Sequence, residues 1–276
     1  VEAVLGSADA APDIALSGDL TVQALQQQSD LHTTVASKVN ASAKRDDGSV
    51  DGAAVSLSVA AAYSELDQTT HAIIGDGANV TAGRIGVGAQ NRQPLNLLGL
   101  DRWSSLEDIY TNLKLLVQQK QGIVGKLATQ YANSTGEADS LGMAGSLSIL
   151  QNRTDATAWV GDNVTLTATA LDNSTWVSNP LSLLPVIADD EARQALLDLE
   201  LAWESPLSIR AENQLEQLAV SGNFGSLFGS TSDGGAVGAA VNVQITDNRA
   251  VAGIGAGGVL NAKALDVSAL QDEMII

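Results

Sequence analysis

The chain has 276 residues and a formal charge of −18, because 32 acidic side chains outnumber 14 basic ones. A surface this negative repels phosphate backbones and anionic lipid headgroups, so nucleic acid is not an expected partner. There is no cysteine, which excludes disulfides, thiolate metal sites and cysteine nucleophiles. No apolar run approaches the roughly 20 residues that cross a bilayer, and we expect no membrane insertion.

Short strands are predicted near the N-terminus, and their pattern returns later in the chain. At a constant offset of 245, the matches are Ile14 with Val259, Leu20 with Leu265 and Val22 with Val267. At an offset of 180, they are Val80 with Leu260, Ile85 with Leu265, Val87 with Val267 and Ala89 with Ala269. Self-similarity of this kind is typical of repeat architectures, and the chain is interpreted as a segment of a larger protein.

A companion block occurs three times and has a fixed internal spacing. The three copies are residues 52–77, 141–163 and 234–258. In each copy, 12 positions separate an apolar residue from a glycine; the pairs are Tyr63 and Gly75, Ile149 and Gly161, and Val243 and Gly255. The constant spacing indicates one structural unit used three times.

The blocks have strand periodicity and glycine-rich turns. Val55, Leu57 and Val59 alternate with small or polar residues, and the turn that follows contains Gly-Asp-Gly at residues 75–77. Strands that return with fixed glycine corners favour coils stacked about 4.8 Å apart. The sequence therefore predicts a mainly β fold, a parallel β-helix (β-solenoid) continuous over residues 1–276 and elongated along its stacking axis. Val87 and Val267 are expected to point into its narrow core.

Residues 72–82 read AIIGDGANVTA. This motif, with the small apolar strand before it and the Val-x-Ala strand after it, resembles the repeats of very large bacterial exoproteins of the filamentous-haemagglutinin and leukotoxin-like filamentous adhesin type. The resemblance implies a β-helical filament that is extracellular or lies on the bacterial cell surface. It carries no catalytic residue over to this chain.

Two segments interrupt the repeat, and both are predicted to be helical insertions. The first covers residues 95–130, and its apolar residues at helical spacing are Leu106, Ile109, Tyr110, Leu113, Leu116 and Val117. The second covers residues 180–206, and its stripe consists of Ala192, Leu196, Leu199 and Trp203. We expect these stripes to pack against neighbouring coils of the same chain. The alternative is a docking surface with Trp103, Trp176 and Trp203 as partner contacts, because aromatic anchors are favoured at interfaces.

Three carboxylates are candidate calcium ligands, because hard cations prefer oxygen. They are Asp76, Asp162 and Asp247. The alternative is that they serve only turn geometry, since the dense Asp repeat of calcium-binding β-rolls is missing. His32 and His71 have no second histidine at ligand spacing and are predicted to be surface residues.

The sequence offers no catalytic constellation and no cofactor motif, so the leading hypothesis is not an enzyme. It is a structural or adhesive segment of a large secreted or cell-surface protein, acting as a stiff repetitive stalk or filament. Its expected partners are neighbouring repeats of the same parent protein, and host or matrix glycans or proteins. Two alternatives stay open, a carbohydrate-active β-helix enzyme and a glycan-binding solenoid module, because fold does not imply function.

Overall fold

The computed structural model describes residues 1–6, 11–28, 33–40, 55–93, 130–137, 141–171, 176–177, 202–221 and 236–275. Regular structure in these ranges consists of 17 strands, so the prediction of a mainly β fold is confirmed. The described ranges contain no helix that is long and apolar enough to cross a membrane.

Fifteen of these strands form four parallel sheets, which we number I to IV. Sheet I contains β1 (Glu2–Leu5), β5 (Val55–Ile74), β9 (Leu141–Val160) and β15 (Ala236–Ile254). Sheet II contains β2 (Asp13–Ala15), β6 (Asn79–Ala82), β10 (Thr165–Ala168) and β16 (Val259–Asn261). Sheet III contains β3 (Leu20–Gln27), β7 (Ile85–Gln93), β13 (Leu207–Gln217) and β17 (Leu265–Ile275). Sheet IV contains β4 (Thr33–Asn40), β8 (Gln130–Glu137) and β14 (Ala219–Ser221).

The chain visits sheets I, II, III and IV in the same order three times, and then returns to sheets I, II and III. We call each such traverse a pass. Each strand pairs in parallel with the strand of the next pass in the same sheet. Leu5, Ile74, Val160 and Ile254 stand side by side in sheet I, so the passes advance by 69, 86 and 94 residues.

The predicted repeat registers are mostly confirmed. Tyr63 pairs with Ile149, which pairs with Val243, as the 12-residue spacing to the corner glycine predicts. The offset of 180 is confirmed through the neighbouring strands of sheets II and III. The offset of 245 is correct in sheet III but wrong by one residue for Ile14, which aligns with Leu260 rather than Val259. The reason is that Ile14 and Leu20 are six residues apart, whereas the aligned residues Leu260 and Leu265 are five apart.

The type of side chain that fills the interior differs from one part of a pass to the next. Sheets I, II and III enclose an apolar core; its fully buried members include Ile74, Val80, Ile85, Val87, Val160, Leu166, Leu207 and Ile209. Between the second half of sheet III and the middle of sheet I the buried residues are mainly amides and threonines, together with Leu150 and Leu215. Between sheets IV and I they are mainly serine and alanine. Val267 occupies the core register beside Ile209 but is 41% exposed, because no further strand covers it in the described part of the chain.

Most of both predicted helical insertions lies outside the described residues, since residues 94–129 and 178–201 are not among them. The ends that are described differ from the prediction. Gln130 begins β8 rather than ending a helical insertion. Trp203 belongs to a short strand, β12 (Ala202–Trp203), which pairs antiparallel with β11 (Trp176–Val177). The two tryptophans stand opposite each other in that pair, and this contact holds Trp203 in an extended conformation.

The described structure is longer in the direction of its long strands than in the direction in which the passes stack. β5 and β9 have 20 residues each, a contour length of about 65 Å at roughly 3.3 Å per residue. Four stacked strands, in contrast, span only about 15 Å at a spacing of roughly 4.8 Å. Elongation along the stacking axis is therefore not a property of these four passes.

Candidate functional site

The corner after sheet I is held by a ladder of aspartates. Asp76 Oδ1 accepts a hydrogen bond from the backbone N–H of Asp162 at 2.8 Å. One pass later, Asp162 Oδ1 accepts from the backbone N–H of Ala256 at 2.7 Å. The ladder ends there, because Ala256 has no carboxylate. Each aspartate thus ties its own corner to the corner of the following pass.

The glycines of this corner are required by backbone shape and by space. Gly77, Asn163 and Gly257 stack with φ values of 68°, 55° and 71°, a left-handed conformation that glycine and asparagine tolerate best. A Cβ on Gly161 would lie 2.3 Å from Asp76 Oδ1, and a Cβ on Gly255 would lie 2.2 Å from Asp162 Oδ1. The aspartate ladder therefore leaves no room for a side chain at the glycine of the next pass.

The three candidate calcium ligands do not converge on one point. Asp76 and Asp162 occupy successive corners, whereas Asp247 lies on β15, where its Oδ2 is 3.5 Å from Arg153 Nε. Within the described residues, no group of three or more His, Asp or Glu side chains could hold a metal ion. The contacts of Asp76 and Asp162 favour the turn-geometry alternative, and calcium binding stays a prediction.

His71 lies on the outer face of sheet I between two carboxylates. Its Nδ1 is 3.6 Å from Glu2 Oε1, and its Nε2 is 3.7 Å from Asp155 Oδ1. The side chain is 29% exposed, in agreement with the prediction of a surface residue. His32 lies outside the described residues.

Trp176 and Trp203 form a buried pair on sheet III. Their ring centroids are 5.6 Å apart, and Trp176 Nε1 donates to the carbonyl oxygen of Ser205 at 3.0 Å. Arg84 lies 5.8 Å from the centroid of the Trp176 ring, and the Trp203 ring packs directly over Gly86. Both tryptophans are buried within the described part of the chain, which agrees better with packing in the same chain than with the alternative of partner contacts. The pairing joins two segments that no local sequence pattern connects. Trp103 lies outside the described residues.

The most unusual surface is the outer side of sheet I along the first half of its long strands, which we call the apolar face. Its members are Val55, Leu57, Val59, Tyr63, Leu141, Met143, Leu147, Ile149, Val237, Val241 and Val243. The exposed fractions of the most open members range from 37% at Leu147 to 61% at Val59. No charged residue interrupts the face, because the other outward positions are alanine or glycine.

Small residues behind the apolar face explain why its large side chains point outward. Ser58 Oγ donates to Ser37 Oγ at 3.0 Å, and Ser64 Oγ donates to Thr33 Oγ1 at 2.7 Å, so sheets I and IV meet through short side chains. Hydroxyl pairs of this kind bring the two sheets close together at positions where the inward residues are serine, threonine and alanine. Alternation along the strand then places the larger residues on the outside.

The second half of the same outer face contains charged residues. Asp67, Arg153 and Asp247 form one ladder across three passes, and Arg249 Nη1 lies 3.7 Å from Asp155 Oδ2. Exposed ion pairs of this kind stabilise little but keep the surface hydrated. Sheet I therefore presents an apolar half beside a mixed half, in which exposed Trp159 and Ile245 accompany the charged residues.

Comparisons of the chain with protein-family models, with curated proteins and with solved structures found no match.

Proposed function

We propose that this chain is a β-solenoid segment of a large secreted or cell-surface bacterial protein, with a structural and adhesive role. The observation that supports this most is the repeated order of the four sheets, with residue-for-residue parallel register between passes. In such an architecture each pass covers the core of its neighbour, and the wall is continuous. Neighbouring repeats of the parent protein are then the natural partners at both ends of the segment.

The adhesive part of the proposal rests on the apolar face. Soluble proteins rarely expose contiguous apolar patches of this kind unless the patch contacts something. The patch repeats on three successive strands, so further passes of the same type would extend it as a stripe along the solenoid. We expect host or matrix proteins or glycans to bind there, outside the cell, whereas the charge of −18 disfavours nucleic acid.

Two ladders of three residues provide a matched test. In the first variant, Leu57, Met143 and Val237, which form one apolar ladder, are replaced by serine. In the control, the charged ladder of Asp67, Arg153 and Asp247 in the same strands is replaced by serine. Beads coated with each protein are then measured for retention on extracellular matrix and on arrayed glycans.

Loss of retention in the apolar variant alone supports an adhesive role for the apolar face. Equal retention by all three proteins would refute that role and leave only the structural part of the proposal. Release of reducing ends or unsaturated sugars from polysaccharides by the unaltered chain would instead favour the carbohydrate-active alternative.

A further inference from the structure

We propose that a file of ordered water molecules occupies the polar part of the interior, between sheets I and III. This inference does not depend on the proposed function. It concerns four buried amide side chains, Gln68, Asn91, Asn152 and Asn213, which are between 0% and 2% exposed. No aqueous surface is available to these groups.

Some of their hydrogen-bonding capacity is used directly. Asn213 Nδ2 donates to Thr154, with distances of 3.1 Å to its carbonyl oxygen and 3.0 Å to its Oγ1. Asn152 Nδ2 donates to Gln93 Oε1 at 2.9 Å, and Gln68 Nε2 donates to Gln28 Oε1. These bonds connect the inner side of sheet I to sheet III in successive passes.

The oxygen atoms of the same amides accept no hydrogen bond within the described chain. Within the described chain, the side-chain oxygens of Gln68, Asn91, Asn152 and Asn213 have no hydrogen-bond partner, and neither does Asn91 Nδ2. An unpaired amide in the interior costs more free energy than one internal hydrogen bond contributes, and native proteins rarely leave such groups unpaired. Five unpaired atoms in one region therefore require a partner.

The strand registers bring these atoms into one region. Asn91 stands beside Asn213 in sheet III, and Gln68 stands beside Thr154 in sheet I. The contact between Asn213 and Thr154 joins the two sheets at this level. Asn152 occupies the next inward position on β9, two residues before Thr154. The orphaned atoms thus follow the stacking direction over two passes.

Water fits this set of atoms better than a cation does. Four oxygen acceptors alone would suit a cation, but Asn91 Nδ2 is a donor and would repel positive charge. A water molecule accepts from that donor and donates to the neighbouring oxygens, and buried waters typically make about three such bonds. A row of them would satisfy the amides of each pass.

The test counts long-lived internal waters by magnetic relaxation dispersion of the water nuclei. We expect a dispersion from the unaltered chain, and a smaller one from Asn91→Leu, which is similar in size but cannot hydrogen-bond. The control is Gln151→Leu, which removes an amide on the outer side of β9 and should leave the dispersion unchanged. A parallel measurement compares the melting temperature in KCl, NaCl and choline chloride.

The absence of any dispersion in the unaltered chain refutes the proposal, and this result does not depend on whether the variants fold. An unchanged dispersion in a folded Asn91→Leu refutes it as well. A melting temperature that rises with KCl or NaCl but not with choline chloride would show a bound cation instead of water. Equal melting in the three salts, together with the expected loss in Asn91→Leu, supports the water file.

Discussion

Replacing Gly161 by alanine should destabilise the chain by about 2–3 kcal/mol. The new Cβ would lie 2.3 Å from Asp76 Oδ1, 2.8 Å from the backbone nitrogen of Asp76 and 3.0 Å from the carbonyl carbon of Gly75. Rotation of the Asp76 side chain relieves only the first contact. It also breaks the hydrogen bond to the N–H of Asp162, which contributes about 0.5–1.5 kcal/mol at an exposed position.

The two backbone contacts cannot be relieved by a side-chain rotation. They force a shift of the preceding corner, and overpacking of this kind costs about 1–3 kcal/mol. The loss of flexibility in the unfolded chain offsets roughly 0.4–1 kcal/mol of that cost. At this chain length, 2–3 kcal/mol corresponds to a decrease of about 4–12 °C in the melting temperature.

The matched control is Gly145→Ala in β9, the strand that ends just before Gly161, because a Cβ on Gly145 meets nothing within 4 Å. It should melt at or slightly above the temperature of the unaltered chain. Thermal unfolding is followed by circular dichroism in the far ultraviolet. A double variant with Asp76→Ala adds a second check, since Asp76→Ala should cost less in the Gly161→Ala background than alone. Equal melting of Gly161→Ala and Gly145→Ala would refute the steric account of the corner.

Three further outcomes follow from burial and titration. Val87→Asp should lower the free energy of unfolding by about 4 kcal/mol or more, because it buries an unpaired charge. Val267→Asp should lower it by less than about 1 kcal/mol, because Val267 is 41% exposed. Urea unfolding measures both values, and equal losses of stability would show that the terminal pass is covered. The hydrogen bond from the Tyr63 hydroxyl to Glu65 Oε2, aided by desolvation and by repulsion from the Glu65 carboxylate, raises the pKa of Tyr63 above its ordinary value of 10.0. In an ultraviolet titration, Tyr63 should therefore ionise at a higher pH than an unperturbed tyrosine. The variant Glu65→Gln should lower the pKa of Tyr63 towards its ordinary value. A titration curve that this variant leaves unchanged would show that the hydrogen bond is absent in solution. Because a raised pKa means that the folded state holds the proton more tightly, this contribution to stability is complete below pH 10 and is lost only as the pH rises through the raised pKa.

Local patterns in the sequence predicted the strands and most of the register. The 12-residue spacing of Tyr63 and Gly75 was sufficient to align sheet I, because a corner glycine fixes where each strand ends. Alternation of period two separates the two sides of a strand but does not say which side is inside. In sheet I the serine side faces inward, and this depends on how closely sheet IV approaches, which is a tertiary property.

Long-range contacts were beyond the reach of the sequence patterns. Trp176 and Trp203 are 27 residues apart, and their pairing depends on the antiparallel contact of two-residue strands. Such short strands have no periodicity to detect. The helical spacing that includes Trp203 did not predict that Trp203 lies in a two-residue strand. The aspartate ladder, in contrast, was partly visible, because Gly-Asp at residues 75–76 returns at residues 161–162.

The length of each pass would set the bending stiffness of a stack built from many such passes. Successive passes use 69 to 94 residues for an advance of about 4.8 Å, which is roughly 0.06 Å per residue against 1.5 Å in an α-helix. Stacked passes therefore add little length per residue along the stacking axis, and they give a wide cross-section instead. Resistance to bending increases steeply with the width of a beam in the plane of bending. A solenoid made of such passes would flex as a ribbon, easily through its thin direction and hardly at all in the plane of sheet I.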